Sequence, residues 1–262
     1  MGVESAIESA IENLKRLSGD FEEKSPQETL RWAIDLFSPE IALACSFGSD
    51  DMVLVDMIAK INPKTKIFYL DTDVLFKETY ELVDRVAAQY GMCGIPYRGI
   101  TLGQQAREHG EALWSSNPDL CCNLRKVKPL LEAVSGLRAW ITGIRRDQSP
   151  TRATAGVVEW DRKFGLVKLN PLARWTDQMV WDYIRAHNVP YNPLHDQGYP
   201  SIGCTHCTSQ VKPGEDPRSG RWKGFNKTEC GLHNDCVTGA GLIGASEFSV
   251  APPTGLRDPQ KS

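Results

Sequence analysis

The sequence predicts an α/β fold, a mostly parallel sheet with helices on both faces. Three observations carry this. Short apolar runs alternate with amphipathic segments between residues 41 and 143, the pattern of parallel strands joined by crossover helices. The chain has 262 residues, enough for one such domain with a full core. Its hydrophobic content of 41% and charged content of 24% are ordinary for a globular protein.

The elements follow in chain order. Residues 3–17 place Val3, Ile7, Ala10, Ile11, Leu14 and Leu17 on one face of a helix, so an N-terminal helix is expected within residues 1–24. Ser25 caps a second helix that runs to about Phe37, with Pro26 in its first position and Glu28 completing a capping box. Residues 41–46 (IALACS) form a short strand. A loop, Phe47 to Asp50, leads into a helix from about Asp51 that carries Val53, Leu54, Met57 and Ile58. Residues 66–71 (KIFYLD) are a second strand, Phe76–Tyr90 a helix, and 95–100 (IPYRGI) a weaker strand. A helix near Leu120–Val134 leads into the strand 137–143 (LRAWITG). Residues 157–160 and 165–170 read as a hairpin. Thr176 then caps a helix to His187 with Val180, Tyr183 and Ile184 inward. Residues 25–189 therefore form the main domain. Residues 190–233 are rich in Pro, Gly, His and Cys and need a metal or ligand to order them. Residues 234–262 are expected to be a disordered tail.

Net charge is −3, which gives no reason to expect nucleic-acid binding. No apolar run approaches the roughly 18 residues needed to span a membrane, and the start MGVESAIESAIENLKRL has no basic, apolar leader. A soluble, cytoplasmic protein is expected. In a reducing compartment its eight cysteines are ligands, catalysts or core residues before they are disulfides.

Ser46-Phe47-Gly48-Ser49-Asp50 follows a strand and opens a helix. Backbone N–H groups and the positive helix end there suit an anion, and the hydroxyls of Ser46 and Ser49 add donors. An ordinary strand–helix turn is the plain alternative. Leu70-Asp71-Thr72-Asp73 ends the next strand and borders the same carboxyl-end crevice. With this segment beside the loop, the sequence resembles the PP-loop (adenine nucleotide alpha hydrolase-like) proteins. Arg145, Arg146 and Arg152 follow the strand 137–143, and guanidinium groups suit sulfate and phosphate oxygens. Some of them have Asp147 as an alternative partner.

Cys121 and Cys122 are adjacent; Cys204 and Cys207 form a CxxC pair. Four thiolates hold either zinc or a [4Fe–4S] cluster. Side chains of neighbouring residues diverge on a helix, which favours a cluster with several irons. A redox CxxC or a zinc half-site remains the alternative. Cys45 and Cys93 lie in or beside strands and read as packing residues. Cys230, in Glu229-Cys230-Gly231-Leu232-His233, sits in no apolar run. It is a candidate nucleophile near Arg218, Arg221, Lys223 and His233, because cations favour the thiolate.

Taken in order, SFGSDD, LDTDVLFKETY, CCNLRKVKPL, GIRRDQSPTRA, GCTHCT and ECGLH resemble the assimilatory sulfonucleotide (PAPS/APS) reductases over residues 25–233. The tandem cysteines resemble the iron–sulfur branch, whose usual substrate is adenosine 5'-phosphosulfate. The resemblance implies a PP-loop domain at 25–189, with the cluster and catalytic segment at 190–233. It implies one [4Fe–4S] cluster per chain on Cys121, Cys122, Cys204 and Cys207, and Cys230 as nucleophile. Implied substrate contacts are Ser46, Gly48, Ser49, Leu70, Thr72, Lys126, Arg152, Arg218, Arg221 and His233. The implied reductant is thioredoxin or glutaredoxin, and a homo-oligomer stays open. Alternatives are the 3'-phosphorylated substrate, an ATP-using PP-loop sulfurtransferase, and a non-enzymatic zinc-stabilised nucleotide-binding module. The sequence departs from the family pattern after His233, where residues 234–262, with Cys236, continue.

Overall fold

The structure is a computed structural model, and it describes residues 16–233. The expected N-terminal helix is described only from residue 16, where residues 16–21 are helical. The tail and Cys236 lie outside the described residues.

Six strands form one sheet in the order β3-β2-β1-β4-β6-β5. They are β1 (Ile41–Ala44), β2 (Lys66–Asp71), β3 (Gly94–Arg98), β4 (Ala139–Ile141), β5 (Val158–Asp161) and β6 (Leu166–Leu169). Every pairing is parallel except that of β5 with β6, the expected hairpin. The chain reverses its direction of travel across the sheet between β1 and β4. The crevice at the carboxyl ends of those two strands is where open α/β sheets bind ligands.

Strand residues alternate between two cores. Ile41, Leu43, Ile67, Tyr69, Ala139 and Ile141 enter the larger one, packed against α1 (Pro26–Phe37), α2 (Ser49–Ile61), α3 (Lys77–Tyr90) and α8 (Asp177–His187). Ala42, Phe68 and Trp140 face the opposite side, covered by α7 (Lys128–Val134) through Leu130, Ala133 and Val134. Local chemistry sets the helix starts. Ser25 Oγ accepts from Glu28 N–H at 3.3 Å while the Glu28 carboxylate accepts from Ser25 N–H at 2.8 Å. Thr176 Oγ1 accepts from Met179 N–H at 3.3 Å and caps α8.

Two departures from the sequence reading matter for the site. First, α4 (Leu102–His109) and α5 (Leu113–Ser116) are helices that apolar periodicity does not reveal. The one buried residue of α4 is the polar Gln105. Second, the expected helix at 120–134 is α6 (Pro118–Cys122), a π-turn over Asn123–Val127, and then α7. Lys128 N–H reaches back five residues to the Asn123 carbonyl. Pro129 has no N–H to continue the ladder, and such wide turns often mark functional sites.

Gly99, just past β3, sits against this turn. A Cβ there would lie 2.0 Å from the Leu124 carbonyl oxygen and 3.1 Å from Arg125 Cα. Backbone rather than a flexible side chain blocks the space. Gly99→Ala is therefore expected to destabilise the fold by about 2 kcal/mol or more, read as a lowered midpoint of denaturant unfolding. An unchanged midpoint contradicts the packing described.

Candidate active site

The loop after β1 turns at Phe47, whose φ of +58° places a large side chain in left-handed backbone. Its ring is buried and packs edge-on to Tyr69 at 5.5 Å, which holds the turn. The chain then enters α2 with Gly48 at the cap. The Ser46 N–H and hydroxyl both donate to Asp51, each at 2.6 Å. Two of the loop's anion-facing donors are thus held by its own carboxylate. Burial pushes the Asp51 carboxyl up, the Ser46 hydrogen bonds pull it back, and it settles at about 6. Gly143, after β4, lets the second loop press against the first, since a Cβ there would lie 2.3 Å from Asp51 Oδ1.

Of the three arginines expected to gather on an anion, Arg145 and Arg146 are held by the chain's own acceptors, the alternative the sequence left open, whereas Arg152 lines the cleft described next. Arg145 is committed to three carboxylates, those of Asp50, Asp147 and Asp177. Arg146 binds Glu22, at 3.0 Å through Nη1, and the Ala155 carbonyl at 2.8 Å. Acids brought in from other segments, Asp50, Asp177 and Glu22, take up these two guanidinium groups.

A cleft of about 940 Å³ opens at the carboxyl ends of β1 and β4. Ser46, Gly48, Ser49, Leu70, Lys126, Arg152, Arg218, Arg221, Cys230 and His233 all line it. Thr72 does not. It is buried, with its Oγ1 3.3 Å from Cys204 Sγ and its carbonyl accepting from Arg125 Nη1 at 2.8 Å. Sequence order puts Thr72 at the strand end; the turn after β2 aims it at the sulfurs.

Cys121, Cys122, Cys204 and Cys207 surround a second, smaller gap with Arg125, Lys126, Trp114 and Trp222. Thr205 N–H donates to the Val74 carbonyl at 2.9 Å and Trp222 N–H to the Cys207 carbonyl at 3.2 Å, which anchors the CxxC loop to the turn after β2 and to Trp222. His206 lies flat on Trp114, ring centroids 3.9 Å apart. Burial first, then the neighbouring sulfurs, push the Cys121 and Cys207 thiols up to about 11. Among the described residues no three His, Cys, Asp or Glu groups converge closely enough to hold one metal ion. Four cysteine thiols around one shared gap are the donor set that an iron–sulfur cluster takes. Lys126 lines both cavities. Burial alone would lower its pKa, but the sulfurs of Cys204, Cys230 and Cys122 raise it, so it stays a cation.

The segment carrying Cys230 is docked rather than loose. Lys227 pairs with Asp119 on α6. Lys163, in the hairpin, donates to the Gly231 carbonyl. Leu232 packs on the second core, and His233 stacks on Trp140 at 5.8 Å. Burial, then Arg152 and the lysines Lys168 and Lys163, push the His233 pKa far down. His233 is therefore neutral, and the cations near the thiol are Lys126 and the arginines. The sequence reading missed Glu229, which is buried and accepts from Arg152 Nε at 3.0 Å and Nη2 at 2.9 Å. A carboxylate next to the candidate nucleophile Cys230 was the available signal.

Sheet order, phosphate-type loop and cysteine-bearing segment define a nucleotide-binding α/β protein of the PP-loop type. The family model described as phosphoadenosine phosphosulfate reductase domain matches residues 40–210, and the chain belongs to that family. A protein of Lysinibacillus sphaericus named adenosine 5'-phosphosulfate reductase is 53% identical over 208 residues, 79% of this chain and 89% of that one. The crystal structure of phosphoadenylyl-sulfate (PAPS) reductase from Candida auris, a phosphate complex, is 38% identical with a TM-score of 0.68, covering 76% of this chain and 97% of that chain. Candida glabrata FMN adenylyltransferase, 16% identical with a TM-score of 0.51 over 84% of this chain and 83% of that one, shares the fold.

Asp51 generates a pH prediction. Its folded-state pKa of about 6 lies above the usual 3.8. Its contribution to stability is thus complete below about pH 3.8 and lost as pH rises through 6. Asp51→Asn is expected to remove that dependence. From pH 4 to 7 the unmodified chain should lose about 2 kcal/mol of unfolding free energy relative to the variant. Parallel pH–stability curves for the two proteins contradict this.

Proposed function

We propose that this chain reduces adenosine 5'-phosphosulfate to sulfite and AMP in sulfate assimilation. The observation that carries the reading is Cys230 in the same cleft as Lys126, Arg152, Arg218 and Arg221, at the sheet's switch point. The name of the Lysinibacillus relative supports the unphosphorylated substrate. The family description and the Candida auris enzyme keep the 3'-phosphorylated analogue as the comparison for paired kinetics.

In this mechanism the phosphate loop, Ser46 to Ser49, receives the nucleotide phosphate, and Ser46 exchanges Asp51 for it. Leu70 lies along the nucleoside. Lys126, Arg152, Arg218 and Arg221 neutralise the sulfonate and the phosphate oxygens between which the bond breaks. The Cys230 thiolate attacks sulfur. The sulfur–oxygen bond to AMP breaks, AMP leaves with the bonding pair, and a thiosulfonate remains on Cys230. An external dithiol, thioredoxin or glutaredoxin, attacks the Cys230 sulfur, releases sulfite and is oxidised to its disulfide. That pair of thiols supplies both electrons. Neutral His233 donates its ring N–H to a sulfonate oxygen without adding charge. Cys121, Cys122, Cys204 and Cys207 would hold one [4Fe–4S] cluster per chain, which would tie the 190–215 loops to the tandem cysteines and give Lys126 an anionic neighbour. Solution in the cytoplasm fits the described residues, none of whose helices is long and apolar enough to cross a membrane.

Two outcomes test this. Cys230→Ser is expected to abolish sulfite release while AMP affinity stays within about twofold, because the nucleotide contacts are elsewhere. Sulfite formed at the normal rate would sink the assignment. Cys204→Ser is expected to lower both bound iron, by metal analysis, and affinity for adenosine 5'-phosphosulfate. An iron-free variant with unchanged affinity would remove the cluster from the reading.

A further inference from the structure

Glu229 sits in a site that is built like a receptor for an oxyanion. Its carboxylate meets Arg152 Nε at 3.0 Å and Nη2 at 2.9 Å, and Arg218 Nη2 at 3.2 Å. Thr151 Oγ1 and Ser149 Oγ donate to it at 3.3 and 3.4 Å. These donors come from the loop after β4 and from the 218 loop, so the cage is assembled across the fold. The side chain is 3% exposed, although the residue borders the cleft. Arg218 Nε is buried in the same place with no acceptor among the described residues. A planar carboxylate offers two oxygens; a tetrahedral sulfonate offers three. The cage has a donor that Glu229 leaves unanswered and a third oxygen would reach.

We infer that Glu229 holds the sulfonate's place in the substrate-free protein, and that the incoming sulfonate expels it from the Arg152–Arg218 cage. The inference rests on the sulfonucleotide reading above. Arg152 engages Glu229 through the forked Nε and Nη2 edge and Gln148 through Nη1 at 2.5 Å. A second anion on that forked edge requires the carboxylate to leave, since like charges at this distance repel. Glu229 is bonded to Cys230, so its departure moves the nucleophile. Anion arrival and thiol repositioning become one event. Glu229 is thus a positioning residue and does not touch the reacting atoms.

The test uses the full-length holoprotein carrying Cys230→Ser, which binds without turnover. Affinities for adenosine 5'-phosphosulfate and for AMP are measured by calorimetry with and without Glu229→Gln. Removing the competitor should tighten the phosphosulfate by about tenfold, the scale of one charge-assisted contact, and leave AMP within about twofold. Weaker or unchanged phosphosulfate binding overturns the exchange and makes Glu229 a strut for the arginines. Equal tightening of AMP assigns the cage to the phosphate and overturns it too. Failure of the phosphosulfate to bind either protein refutes the sulfonucleotide reading itself. The unmodified chain gives a second readout that needs no folded variant. Inorganic sulfate, against chloride at equal ionic strength, should speed iodoacetamide labelling of Cys230, followed by peptide mass. No acceleration overturns the exchange.

Discussion

Arg125 is a guanidinium with almost no access to water, 2% exposed, in the middle of the π-turn. Such a charge persists only if its donors are answered. Two of its nitrogens meet the Gln105 carbonyl at 2.9 and 3.0 Å, and a third meets the Thr72 carbonyl at 2.8 Å. One cation thereby ties α4 and the turn after β2 to the segment that carries Cys121, Cys122 and Lys126. The sulfur-lined gap, the placement of Thr72 against Cys204 and the position of Lys126 between the two cavities all inherit their geometry from it. Truncating it would leave Gln105 and the Thr72 carbonyl unanswered in the interior.

The two faces of the sheet are covered unequally. Helices α1, α2, α3 and α8 close one side. The other has α7, Phe164 of the hairpin, and Leu232 of the segment that carries Cys230. The segment that carries Cys230 covers part of this core and is held by apolar burial and by a handful of polar latches, Lys227 to Asp119, Glu229 to Arg152 and Lys163 to Gly231.

Much of this was legible in the residues. Continuous apolar runs, the Ser25 and Thr176 caps and the hairpin report local physics, and the strands and helices read from them formed within a few residues of their expected bounds. The cleft-lining residues were legible because sheet topology fixes where loops converge. What escaped has a common cause. Helix α4 docks through the polar Gln105, so no apolar stripe announces it. The π-turn depends on one missing donor at Pro129. The partners of Arg145 and Arg146 lie far off in sequence, Asp177 and Glu22 among them, and Thr72 depends on the shape of a turn. Long-range polar pairing leaves no period in the sequence.

The stacking of His233 on Trp140 has an optical consequence. An imidazole lying over a buried indole alters that indole's emission, so one of the chain's seven tryptophans marks the contact between the core and the segment that carries Cys230. Trp140 is 1% exposed and also lies 6.0 Å from the Lys168 ammonium. Its share of the emission, isolated by comparison with Trp140→Phe, therefore reports whether that segment is seated.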